Sequence, residues 1–201
     1  RAGQLAARAL LTPQAAGADS LATTGALAAA RCRAGWYEGL IADAAGDGAA
    51  RSAAWRALLG CAADYTGYMA VLAPDDEALA RAALEAQPDN PAAYFWLAEI
   101  LAPAAPVEAI ALFREGLSYA PADGWRWLAL ARLLDGRDDA AALDAYLQAC
   151  RNGDPGANGC AHAATIVEAQ GDLETAIRYY RLSNWDEAQR RADELESELG
   201  E

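Results

Sequence analysis

The chain has 201 residues, 54% of them hydrophobic but only 8% aromatic, and carries a net charge of −13. Alanine-rich runs such as Ala28 to Ala30 recur from end to end; alanine is the strongest helix former and lets helices approach closely, while the β-branched alternation of a sheet is missing, so helices are predicted throughout. The acid excess excludes nucleic acid and anionic membrane surfaces as partners, since both require a basic patch to neutralise phosphate.

The sequence opens at Arg1 and not at Met, and residues 1–18 read as a stub that a removed signal or a membrane anchor would precede. No apolar run reaches the roughly 18 residues needed to span a bilayer, so direct membrane insertion is not expected. A helix is predicted from Asp19 to Arg31. A degenerate helix pair then begins near Trp36, with Gly46-Asp47-Gly48 as its turn and Trp55 and Leu58 on its second helix. The next helix carries Tyr65, Tyr68, Met69 and Leu72, whose offsets of 0, 3, 4 and 7 fall on one helical face.

The same stripe recurs as Tyr94, Leu97, Ala98, Leu101, as Trp125, Leu128, Ala129, Arg132, and as Cys160, Ala163, Ala164, Val167, with starts separated by 29, 31 and 35 residues. Each of the last three is followed by a second helix with its own stripe: Ala109, Phe113, Gly116, then Ala142, Tyr146, Ala149, then Ala176, Tyr180, Ser183. In that pattern one bulky ring fills the gap between helices that touch through small residues. Asp186 to Leu199 closes the series with an acidic, Arg-containing face suited to a terminal cap.

At Tyr94, Leu97, Ala98, Leu101, Ala109, Phe113, Gly116 and Pro121, and again at Gln170-Gly171-Asp172-Leu173 with Ala176 and Tyr180, the chain resembles the tetratricopeptide repeat family. Arg132 departs from the family pattern, which places a ring there, and the turn from Pro103 to Pro106 is irregular. The resemblance implies an all-α, right-handed superhelical solenoid of about five antiparallel helix pairs with terminal capping helices. The repeat domain would cover 19–201, clearest over 63–183, with the cap at 185–199. In this register both Cys32 with Cys61 and Cys150 with Cys160 lie at one edge of the stack, and they are the expected disulfides among three connectivities. Two disulfides would place the chain outside the reducing cytoplasm, in the periplasm, on the cell surface or secreted.

Stacked pairs curve so that first helices line an inner surface, which nominates Tyr37, Ile41, Thr66, Ala70, Phe95, Glu99, Asp123, Arg126, Leu130, Leu133, Asn158, Thr165 and Glu168 as a partner-binding groove. Of these, Phe95 and Arg126 are expected to serve binding and Phe113 to serve the core. The single histidine, His162, has no carboxylate or thiol partners at ligand spacing, and no Gly-x-Ser-x-Gly or phosphate-loop motif occurs. The expectation is therefore no enzyme, no metal and no cofactor, but a scaffold that binds a protein or peptide. Two alternatives are a self-assembling subunit stacking head to tail as a homo-oligomer, and a regulatory domain of a larger membrane-anchored protein.

Overall fold

The computed structural model describes residues 20–61, 65–154, 156 and 158–200, so the stub at 1–18 and the apolar stretch from Leu5 to Leu11 lie outside the described residues. Among these residues there are eleven α-helices and no strand. They are α1 Ser20–Ala44, α2 Gly48–Arg56, α3 Thr66–Leu72, α4 Glu77–Ala86, α5 Pro91–Leu101, α6 Pro106–Tyr119, α7 Gly124–Leu134, α8 Asp139–Arg151, α9 Asn158–Ala169, α10 Leu173–Leu182 and α11 Asp186–Gly200. The chain divides into two compact units, Arg1–Pro88 and Asp89–Glu201.

Helix starts are fixed by short acidic or amide caps, which satisfy backbone N–H groups that have no partner in the first turn. Asp47, Asp76, Asp123, Asp138 and Asp172 each accept from the N–H three residues on, and Asn90 accepts from Ala92, so part of the negative charge serves helix initiation. Pro91 and Pro106 stand in the first turns of α5 and α6, where a missing N–H costs nothing.

In the first unit, α1 runs unbroken over 25 residues. The helix predicted at 19–31 and the first helix of the Trp36 pair are thus one element. Gly39 makes the close contact of α1 with α2: a Cβ there would lie 1.8 Å from the indole Nε1 of fully buried Trp55. Trp36 stacks on Trp55 at 5.2 Å and on Tyr65 at 5.3 Å, tying α1, α2 and the start of α3 together. Cys32 and Cys61 are disulfide-bonded with Cα atoms 6.0 Å apart. α2 packs on α4, where the hydroxyl of Ser52 donates to the cap carboxylate of Asp76. Gln87 closes the unit by donating to the Leu59 carbonyl at 3.1 Å and accepting from the Thr66 hydroxyl at 2.9 Å.

The second unit is a run of helix pairs, α5 on α6, α7 on α8 and α9 on α10, with α6 also against α7, α8 against α9, and α11 closing on α10. All nine small-ring-small residues of the three second helices, from Ala109 to Ser183, are buried. A second disulfide joins Cys150 at the end of α8 to Cys160 in the first turn of α9, with Cα atoms 4.9 Å apart. α11 buries Ala188, Ala192 and Leu195 in a cluster with Ala176 and Tyr180, and leaves Leu199 51% exposed near its end on an otherwise mostly acidic outward side.

The first helices correct the sequence register in two places. On α7 the buried residues are Gly124, Leu128, Leu130, Ala131 and Leu134, whereas Trp125 and Arg132 are exposed. The ring that packs on the core is Trp127, whose indole N–H donates to the Pro121 carbonyl at 2.9 Å. Trp125 and Trp127 are two residues apart, about 200° around a helix, so they cannot share a face. With Trp127 as the anchor, Tyr94, Trp127 and Cys160 repeat at 33 residues, in step with Phe113 and Tyr146 on the second helices. On α3 the buried stripe is Thr66, Met69 and Ala73, one residue on from the expected one, and Tyr68 and Leu72 are exposed.

Candidate functional site

The groove residues nominated from sequence divide between the two units. In the first unit Tyr37 stands in the open on α1, but Thr66 is 1% exposed and belongs to the core. In the second, Phe95 and Leu130 are 4% and 2% exposed, and they too leave the groove set. The reason is that α5 and α7 are each buried on more than one side. Phe95 stacks on Phe113 with ring centroids 6.1 Å apart and lies over Gly116, where a Cβ would come within 2.6 Å of it. Leu130 stands at the register position of Leu97 and Ala163, both of them buried.

What stays open is a cleft of about 440 Å³ between α5 and α7, lined by Glu99, Asp123, Trp125, Arg126, Leu128, Ala129 and Arg132. Trp125 is 60% exposed on it, in the first turn of a helix that Asp123 caps. Arg126 forms one wall. Its guanidinium lies 5.0 Å over the Phe95 ring and pairs with Glu99, and burial pulls its pKa below the ordinary guanidinium value. This places Arg126 as a bridge from α7 to α5, with Phe95 as its floor. Arg132 lies two turns along α7 from Trp125, exposed, and makes no salt bridge among the described residues.

Farther along, Asn158 begins α9 half-buried, and Thr165 turns its hydroxyl back to the Ala161 carbonyl at 3.1 Å. Glu168 is engaged: it accepts from Arg191 of α11 at 2.6 Å and from the Tyr180 hydroxyl of α10 at 2.8 Å. The Arg191 hydrogen bond is the main cause holding the Glu168 carboxyl below its usual pKa. This network fastens the closing helix, so Thr165 and Glu168 are structural first.

His162 is half-buried between two rings, stacked on Tyr146 at 4.9 Å and edge-on to Trp185 at 5.6 Å. Burial lowers its pKa, assisted by the charge of Arg132 and opposed by Asp135 and Asp154. The Tyr146 hydroxyl donates to Asp135 at 3.1 Å, and burial, then that carboxylate, pushes its pKa up to about 12. Because the folded pKa of His162 lies below its unfolded value of about 6.5, its contribution to stability is complete above that pH and declines as pH falls below it. Thermal unfolding of wild type and His162→Phe from pH 7.5 to pH 5 should therefore show the wild type losing more of its stability over that range. Parallel curves would remove His162 from the pH response. Among the described residues no cluster of three or more His, Cys, Asp or Glu side chains gathers as a metal site, and no helix is long and apolar enough to cross a membrane.

Helices paired in this way, with a small-ring-small stripe on each second helix, define an all-α fold of the tetratricopeptide-like solenoid class. Among solved structures the chain is similar to MamA: one crystal structure matches at 17% identity and a TM-score of 0.56 over 85% of this chain and 94% of that one. A second MamA crystal structure matches at 17% identity and a TM-score of 0.55 over 81% and 96%. No protein-family model matches the chain, and no curated protein sequence matches it. At this identity the likeness is one of fold.

Trp125 is the functional candidate that the sequence pattern hid. The signal that finds it is the 33-residue spacing of Tyr94, Trp127 and Cys160, which frees Trp125 from the core.

Proposed function

We propose that the chain is a non-catalytic scaffold that holds a segment of a partner protein in the cleft between α5 and α7. The observation that carries this reading is Trp125, a largely exposed indole in a cleft that also presents the unbridged guanidinium of Arg132. Trp and Arg are the side chains that most often dominate binding energy at interfaces, since both bring large area and a directed polar group. Trp125 offers a platform for an apolar side chain, and Arg132 supplies a cation for an acidic group of the bound strand, whereas Glu99 is already paired with Arg126. The two disulfides support an oxidising, extracytoplasmic compartment as the place where the scaffold works.

The test uses peptides selected from a display library on the disulfide-bonded protein. Trp125→Ala and Arg132→Ala should each weaken the selected peptides at least ten-fold while unfolding free energy stays within about 0.5 kcal/mol of wild type, as for surface substitutions. Selected peptides that bind Trp125→Ala as tightly as wild type would sink the assignment.

A further inference from the structure

The two disulfides sit in unlike surroundings. Cys32 and Cys61 are both half-buried, and both line a cleft of about 620 Å³ between α1 and the end of α2 whose walls also include Leu27, Ala28, Ala54 and Leu58. Cys160 is 2% exposed, and its neighbour Gly159 is pressed so closely on α8 that an added Cβ would lie 2.6 Å from the Tyr146 carbonyl oxygen and 2.9 Å from the Cys150 nitrogen. Cys150 is half-buried like the first pair, so the difference lies with its partner.

Thiol–disulfide exchange requires a thiolate to reach one sulfur and the other sulfur to leave as a thiolate; cationic neighbours ease that departure, and apolar burial opposes it. In the second bond, attack on Cys150 would expel Cys160 into the packed contact of α8 with α9, and attack on Cys160 is blocked by the same packing. In the first bond, Cys32 stands between Arg31 and Arg33, both exposed, and Glu38 is the acid that lines the cleft. Cys61 lies beyond the last residue of α2, in a turn where its N–H donates to the Leu58 carbonyl at 2.8 Å.

We propose that Cys32–Cys61 is a thiol-exchange site, opened by a dithiol reductant while Cys150–Cys160 stays closed. The thiolate of the dithiol attacks Sγ of Cys61, and Sγ of Cys32 leaves as a thiolate beside the two arginines. The second thiol of the reductant then displaces Cys61 and closes to a cyclic disulfide, so two electrons pass to the protein and its two sulfurs end as thiols. Other ties hold the first unit when the bond opens: Leu58 and Leu59 are buried, Trp36 stacks on Trp55, and Gln87 donates to the Leu59 carbonyl. Opening therefore frees the turn at Cys61 from α1 without dismantling the helix pair, and reoxidation restores it. The site belongs to the first unit and does not depend on the Trp125 cleft of the second.

The test treats the full disulfide-bonded chain with dithiothreitol under native conditions at mildly alkaline pH, alkylates at intervals and maps the labels by mass spectrometry. Cys32 and Cys61 should be labelled at least about ten times faster than Cys150 and Cys160, with helical circular dichroism unchanged when only the first pair is labelled. A short pulse of glutathione, a monothiol, followed by alkylation should leave its mixed disulfide on Cys61. Arg31→Gln with Arg33→Gln should slow the opening about three-fold or more. Gly60→Phe, which adds a ring at a cleft position where a Cβ meets nothing within 4 Å, should slow it as well, and unfolding free energies measured alongside separate blocked access from altered stability. Equal rates for the two bonds, earlier labelling of Cys150 and Cys160, a glutathione adduct on Cys32, loss of helix in step with the first reduction, or variants that open as fast as wild type would each overturn the proposal.

Discussion

Phe95→Ala should destabilise the chain by about 3–5 kcal/mol, as much as Phe113→Ala, because both rings are removed from a packed core that cannot collapse around the loss. The two rings stack at 6.1 Å and share a cluster with Leu128, Leu130 and Tyr146. Phe95 also supports Arg126, so its loss leaves that guanidinium over a hole and loosens one wall of the cleft. A double-mutant cycle should add a coupling of about 0.5–1.5 kcal/mol for the aromatic pair. Denaturant unfolding read at the midpoint, with an unchanged slope, measures all three variants. If Phe95→Ala costs under about 1 kcal/mol while Phe113→Ala costs its full amount, Phe95 belongs to the binding face after all.

Loss of the disulfides should be nearly as costly. Cys32–Cys61 spans a sequence separation of 29 residues and Cys150–Cys160 one of 10. The chain-entropy account then gives about 3.5 kcal/mol for the first bond and about 2.5–3 kcal/mol for the second. The longer loop should matter more, so Cys32→Ala with Cys61→Ala should lower stability further than the Cys150 and Cys160 pair of replacements. Mass spectrometry before and after alkylation supplies the control. Four alkylated thiols in protein recovered from an oxidising compartment, or double variants as stable as wild type, would contradict both the bonds and the compartment they support.

The second helices were legible in the sequence because their stripe is chemically distinctive: a ring between two small residues can serve only where helices touch. The first helices were less so. On α7 the choice between Trp125 and Trp127 rests on geometry that residue type does not encode, and the error moved one indole from a cleft wall to the core. Phe95, Leu130 and Thr66 were misplaced for a related reason. An inner helix that packs on its own partner and on the preceding pair has little free surface, so counting around one stripe overstates the open face. α1 merged two predicted elements because no proline or cap separates Arg31 from Trp36, and Gly35 and Gly39 serve close packing there instead of a turn. The cleft lining is legible in part: Glu99, Asp123 and Arg126 are among the residues nominated from sequence, whereas Trp125 and Arg132 are assigned there to the packed stripe.

The three equivalent places on successive first helices hold Tyr94, Trp127 and Cys160. Two are filled by a ring that is complete the moment the chain is synthesised. The third is filled by a sulfur whose bond to Cys150 must be made afterwards by an oxidant. Until that reaction the α9 pair has neither ring nor crosslink at its anchor, so it waits, as the Cys32–Cys61 link of the first unit also does, on an oxidant that the Tyr94 and Trp127 places do not need. A newly made molecule would carry its cleft helices before its final pair is locked, and the step that locks it is chemical, dependent on where the chain has arrived.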